Sequence, residues 1–174
     1  MPVRFGLRLF LLCLALASLS GVASAQTKIA VINLQKAVLE SDEIKKASAA
    51  LEAKYKPRQQ ELEKLNSEIQ TIQQQLQSNA GKLNPQAEAD LNAQGARKQR
   101  DLQRKSEDLQ GDVDRERNEI LGKSTQKMGD VVKKLAEEKG YDVVIDISNT
   151  IYFKPALEIT SEAMAAYNKT YPVK

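Results

Sequence analysis

The chain has no histidine, no tryptophan and a single cysteine, Cys13, among its 174 residues. Without histidine, the commonest general base and metal ligand is missing. Cys13 lies in an N-terminal segment that reads as removable. The rest of the chain therefore has no thiol nucleophile, no cysteine zinc site and no disulfide framework. Aromatic residues make up only 5% of the chain, too few for one large globular core. No Gly-rich phosphate loop occurs. Together these absences leave no constellation for catalysis, so the reading is a non-enzyme that needs no cofactor and no metal.

The first 25 residues read as a signal peptide. Arg4 and Arg8 make a basic start, Leu9 to Leu19 is apolar, and Ala23-Ser24-Ala25 is a small-residue cleavage site. The apolar run is too short for a comfortable membrane span. Retention as an uncleaved anchor is the minor alternative. Cleavage would start the mature chain at Gln26, and losing Arg4 and Arg8 takes the formal charge from +3 to +1. A near-neutral chain is not a general nucleic-acid binder. Export without disulfides fits a periplasm.

Most of the remainder is one long polar tract, Glu43 to Lys139, rich in Gln, Glu, Lys, Arg, Ala and Leu. Leu62, Leu65, Ile69, Ile72 and Leu76 are spaced three and four apart, a heptad seam along one helix. A second set, Leu91, Leu102, Leu109, Val113, Ile120, Met128, Val131 and Leu135, supplies a partner for it. Asn79-Ala80-Gly81 and Asn84-Pro85 between them end one helix and start another. The spacing predicts an antiparallel helical hairpin folded about Gly81, with Leu62 opposite Leu102 and Ile72 near Leu91. Its seam is impure. Arg58 stands where an apolar residue is due, and Lys98, Lys105 and Glu116 lie near the seam of the second helix. Pro57, Gly111, Gly122 and Gly129 are poor helix residues, which predicts a flexible arm with a kink near Pro57. A solvated arm that merely tolerates such residues is the alternative.

Short strands flank the tract. Thr27 to Asn33 reads as a β-branched strand, followed by a short helix over Leu34 to Glu40. Ser41 caps the first arm, with Asp42 and Glu43 in its first turn. Gly140 ends the second arm, and Tyr141 to Ile147 alternates as a strand with Tyr141, Val143, Ile145 and Ile147 on one face. A turn at Ser148-Asn149 leads to a third strand, Thr150 to Lys154, and Thr160 caps a last helix through Tyr167. The fold class is α+β, mostly α. Residues 26–50 and 125–174 form a small β head, and 51–124 form the arm, with its tip near 79–85. A head this small needs oligomerisation as its staple, and open sheet edges offer the place.

Two charged features stand out along the tract. Asp112, Asp114 and Glu116 read as a solvated helix face laced with Arg115 and Arg117. Arg97, Lys98, Arg100, Arg104 and Lys105 carry one acid, Asp101, among them. Such a cluster is ordinarily a soluble helix surface. The alternative is a patch that draws an anionic membrane surface or an acidic client. No aromatic falls between Tyr55 and Tyr141, so the arm lacks the usual anchors of a tight interface and suits many weak contacts instead.

The opening Lys28-Ile29-Ala30-Val31-Ile32-Asn33, the charged hairpin, Gly140-Tyr141-Asp142-Val143-Val144-Ile145-Asp146 and Glu158-Ile159-Thr160 resemble the Skp/OmpH family of periplasmic chaperones. The resemblance spans the whole chain after the signal peptide. It implies a homotrimer whose three chains share a β body, with three hairpins around a cavity that holds unfolded outer-membrane proteins without ATP. By position, Ile29, Val31, Val143, Ile145, Ile151 and Phe153 would build the shared body. The arm would meet the client, with Arg97, Lys98, Arg100, Arg104 and Lys105 as the candidate contacts. A coiled-coil structural or adaptor protein of the envelope is the rival reading.

Overall fold

The computed structural model describes residues 27–173. The signal-peptide reading of residues 1–25 lies outside them. A four-residue strand, β1 (Ile29–Ile32), leads through α1 (Leu34–Leu39) into α2 (Asp42–Ser78). The chain turns back as α3 (Pro85–Lys139), re-enters the head as β2 (Val143–Asp146), and ends with α4 (Thr160–Thr170). Short 3-10 turns occupy Ile147–Asn149 and Pro155–Leu157.

Each boundary has a chemical cause. Asn33 and Ser41 accept from the amides of Lys36 and Ile44, which caps α1 and α2. Asp42 and Glu43 follow in the first turn of α2. At the tip, Gly81 takes φ +74°, a conformation that favours glycine. Asn84 Oδ1 accepts from Ala87 N at 2.8 Å, and Pro85 fills the first helical position of α3. Gly140, at φ 66°, closes α3 in the left-handed conformation. The 37 residues of α2 give an arm roughly 55 Å long at ~1.5 Å per residue. The helix runs through Pro57 without interruption.

β1 and β2 pair in parallel, Ile29 with Val143 and Ile32 with Asp146. The whole hairpin is the connection between them. Lys28 and Asp142 lock the start of the ladder: Asp142 N donates to Lys28 O at 2.8 Å, and Lys28 N donates to the Asp142 carboxylate at 2.6 Å. Helices cover one face of this two-stranded sheet. Ala30 and Ile32 pack there with Ala37 and Val38, Ile44, Met128, Val131 and Leu135, and with Ile159, Ala163 and Tyr167.

The head departs from the sequence expectation at residues 150–154 and at Thr160. Thr150 to Lys154 is not a strand. Asp146 caps the 3-10 turn after β2, which takes the chain away from a tight hairpin. The second edge of β1 is taken by a parallel bridge from Val31 to Glu158, with Ile159 N donating to Val31 O at 2.9 Å. Val144, not Val143, is the β2 residue packed against the core, and Val143 is 45% exposed. Thr160 is the first residue of α4 rather than its cap. Its hydroxyl accepts from Asn33 N at 2.9 Å and donates to Glu158 at 2.8 Å, tying the end of β1 to the last helix.

Candidate functional site

The ladder register puts Ile29, Val31, Val143 and Ile145 on one face of the sheet, opposite the helices. These are four of the six residues assigned to the shared body. Val31 is already covered within the chain, at 2% exposure. Ile29 and Val143 are exposed and Ile145 is half-buried. The extended segment that follows adds Ile151, fully exposed, with Tyr152 exposed and Phe153 half-buried. Among the described residues the outer edge of β2 has no strand partner. An apolar face, a free strand edge and an apolar extended segment thus lie together in a head with a small core.

At the root of the arm a polar network clamps α4 to both arm helices. Tyr167, fully buried, donates its hydroxyl to Glu43, and Lys127 Nζ lies 2.6 Å from the other Glu43 oxygen. Asn168 Oδ1 accepts from Asp42 N at 3.1 Å. Burial pushes the Tyr167 phenol, and its bond to Glu43 adds to this, up to about 12. Burial also pushes the Glu43 carboxyl up, but Lys127 and Tyr167 outweigh it and hold it below the usual range. In the head, the Ser148 hydroxyl, with the amides of Ser148 and Leu34, holds Asp146 low.

Beyond the root, ion pairs cross the seam like rungs. Lys54 meets Glu116 at 2.5 Å, Arg58 meets Asp112 at 2.6 Å, Lys105 meets Glu61, and Lys98 meets Glu68 at 2.6 Å. Asp112 and Glu116 therefore face the other helix rather than forming a solvated face. The Arg58 guanidinium holds Asp112 low, and the Lys54 ammonium, with the Tyr55 hydroxyl, does the same for Glu116. Along the seam, Tyr55, Ile69, Ile72 and Leu109 are the buried apolar residues of the arm. Leu62 and Leu102 line one hollow of the seam, as their spacing predicts.

This arrangement divides the basic cluster. Lys98 and Lys105 are spent on the facing helix. Arg104 pairs one turn back with Asp101 at 2.5 Å and is mostly exposed. Arg97 and Arg100 are exposed and make no ion pair among the described residues. The outward basic stripe is thus Arg97, Arg100 and Arg104. Sequence reasoning passed over Gly95, where a Cβ would stand 3.4 Å from Ile72 Cγ2. Its signal was present: Gly95 precedes Leu102 by seven residues and so sits in the seam register.

Residues 28–167 match the family described as outer membrane protein (OmpH-like). The chain belongs to this OmpH-like family. A Skp-like protein of Pseudomonas aeruginosa is 29% identical over 160 residues, covering 92% of this chain and 95% of that protein. Chaperone protein Skp of Yersinia enterocolitica is 29% identical over 151 residues, covering 87% of this chain and 91% of that one. The crystal structure of a candidate OmpH-like outer membrane chaperone from Caulobacter crescentus matches with a TM-score of 0.70 at 19% identity, covering 86% of this chain and 89% of its own. The small sheet with a long helical hairpin is therefore an OmpH-like fold, and both the head and the arm lie within the family match.

Proposed function

We propose that this chain is an ATP-independent holdase of the periplasm that keeps unfolded outer-membrane proteins soluble between its arms. The similarity to a named chaperone along nearly the whole chain carries this reading. The geometry supports it. The apolar sheet face and free β2 edge suit assembly of three heads, with Ile29, Val143, Ile145, Ile151 and Phe153 at the contacts. A closed set of subunits would cover surface that a single chain leaves open. The arms would then project together, and many weak contacts would sum without any one holding the client tightly. Arg97, Arg100 and Arg104 form the outward charge that favours acidic clients or an anionic membrane surface, in a salt-sensitive way.

Light scattering on the mature protein, alone and with a urea-denatured outer-membrane barrel, tests both parts. The expected result is a trimer that takes up one barrel as a soluble complex and suppresses its aggregation. Ile145→Asp should leave a chain of native helix content that no longer assembles. A trimer that ignores the barrel would point to the structural-adaptor reading. A monomer that holds the barrel would remove the shared body.

A further inference from the structure

The two flanks of the arm differ, and we propose, on the holdase reading above, that one of them holds the client as an extended strand with alternate side chains seated in successive hollows. On α3, Val113, Arg117, Leu121 and Thr125 stand four residues apart, in one row along the helix. A hollow opens between each consecutive pair. The first, between Thr125 and Leu121, lies against Leu34 and Leu39 of α1 and holds about 540 Å³. The second, between Leu121 and Arg117, lies against Leu39 and Leu51 and holds only about 40 Å³, room for a small side chain. The third, between Arg117 and Val113, lies against Leu51 and Tyr55 and holds about 330 Å³. Leu39 lines the first two and Leu51 the last two, so the hollows form one groove from the head to the level of Tyr55.

The groove is poor in charge. Asp146, at its head end, already accepts from the amides of Leu34 and Ser148, and only Glu52 and Arg117 add charge along the rim. The rungs that cross the arm contribute no residue to it. At ~100° per residue, Asp112 and Glu116 fall on the opposite flank of the α3 seam from Val113 and Arg117. Arg104 of the basic stripe belongs to that charged flank, where it lines a hollow with Arg58 and Glu61. Steps of four residues set the groove's hollows ~6 Å apart. Alternate side chains of an extended strand point the same way ~6.7 Å apart. Strands of outer-membrane barrels carry apolar residues at every second position, in segments of about ten residues. Successive apolar side chains of such a strand therefore match successive hollows. Gln35, Ser48 and Gln59, exposed along the rim, can bond its backbone.

Fluorescence anisotropy on the full mature protein tests the groove. The probe is a labelled peptide of roughly ten residues that alternates Leu, Ala or Tyr with Ser, Thr or Gln. Its control has the same composition reordered to helical spacing. The alternating peptide should bind about 10-fold tighter. Leu39→Asp should erase that difference, and it falls on a side chain that is 41% exposed, so the fold should keep it. Arg104→Ala, on the charged flank, should leave the difference in place. Equal binding of the two peptides, tighter binding of the helical one, or a difference that survives Leu39→Asp would overturn the proposal. So would a photoreactive benzoylphenylalanine in place of Thr125 that links two copies of the chain, since the groove would then belong to a second copy. Light scattering with a denatured barrel separates this outcome from the holdase reading. A protein that keeps the barrel soluble but fails the peptide tests loses the groove alone, whereas one that holds neither peptide nor barrel loses both.

Discussion

Head and arm are stabilised by different means. The head buries a contiguous cluster that includes Met128, Ala163 and Tyr167, all at 0% exposure, and among the described residues its ion pairs are Lys127 with Glu43 and Lys139 with Glu162. The arm buries only scattered residues along its seam and closes the rest with charge. Apolar burial is not screened by salt or weakened by mild acid, whereas part-exposed ion pairs respond to both. One chain therefore has a region that should behave as a fixed body and another whose stiffness follows the solvent.

The largest expected effect tests the fixed body. Met128→Ala removes a fully buried side chain from the meeting point of α3 with the sheet and α4. It should cost about 2–5 kcal/mol, seen as an early thermal transition that takes head and arm together. A cost no larger than that of removing one ion pair from the arm, under ~1 kcal/mol, would break the contrast.

Acid should separate the two regions. Asp112, Glu116 and Glu68 are held below their usual range by Arg58, by Lys54 with Tyr55, and by Lys98 respectively. A lowered carboxyl pKa contributes stability that is complete above the unfolded value of about 4 and fades as pH falls through the folded one. Lys54 and Lys105, raised by Glu116 and Glu61, contribute up to about pH 10 and lose that contribution above it. Far-UV circular dichroism should be flat from neutral pH to about pH 5 and fall below pH 4. Tyrosine near-UV signal from the head should outlast that loss. Glu43 and Asp146 are also held low, so the head should follow at still lower pH.

Smaller effects sharpen the comparison. Gly95→Ala adds a Cβ at ordinary contact distance from Ile72 and removes a helix-weakening glycine. It should stabilise the arm by up to ~1 kcal/mol in urea denaturation. A bulkier Gly95→Leu should instead push the helices apart and loosen the tip. The smallest change is Lys105→Ala, which removes one exposed rung and should shift the denaturation midpoint within measurement error.

Much of this division is legible in the chain. The seam from Leu62 to Leu76 and the break at Asn79–Pro85 are local patterns, and local patterns define helices. The seam charges are harder to read. Lys98, Lys105 and Asp112 follow Leu91 at seven-residue intervals, so they occupy seam positions and look like defects. Their partners lie 30 to 54 residues away, and only the fold shows that the defects are pairs. The third strand failed for a related reason. Thr150 to Phe153 has the residue types of a strand, yet a strand also needs an edge to pair with. Bridging to Glu158 had already used the second edge of β1, and the turn after β2 led away from the other. Val143 and Ile145 share one face, as their alternation predicts, whereas Tyr141 of the same set packs against the core. Alternation alone could not say that the helices would take the opposite one.

The parallel pairing of β1 with β2 makes the arm an insertion. The chain leaves the sheet after Ile32 and rejoins it at Val143, so few head contacts depend on how far the hairpin extends before turning at Gly81. Removing one heptad from each side of the tip would shorten the arm by roughly 10 Å and keep the seam in phase. Reach is therefore an adjustable dimension of this architecture. Lineages could lengthen or trim it by paired seven-residue steps, and a designer could do the same, without renegotiating the body that anchors it.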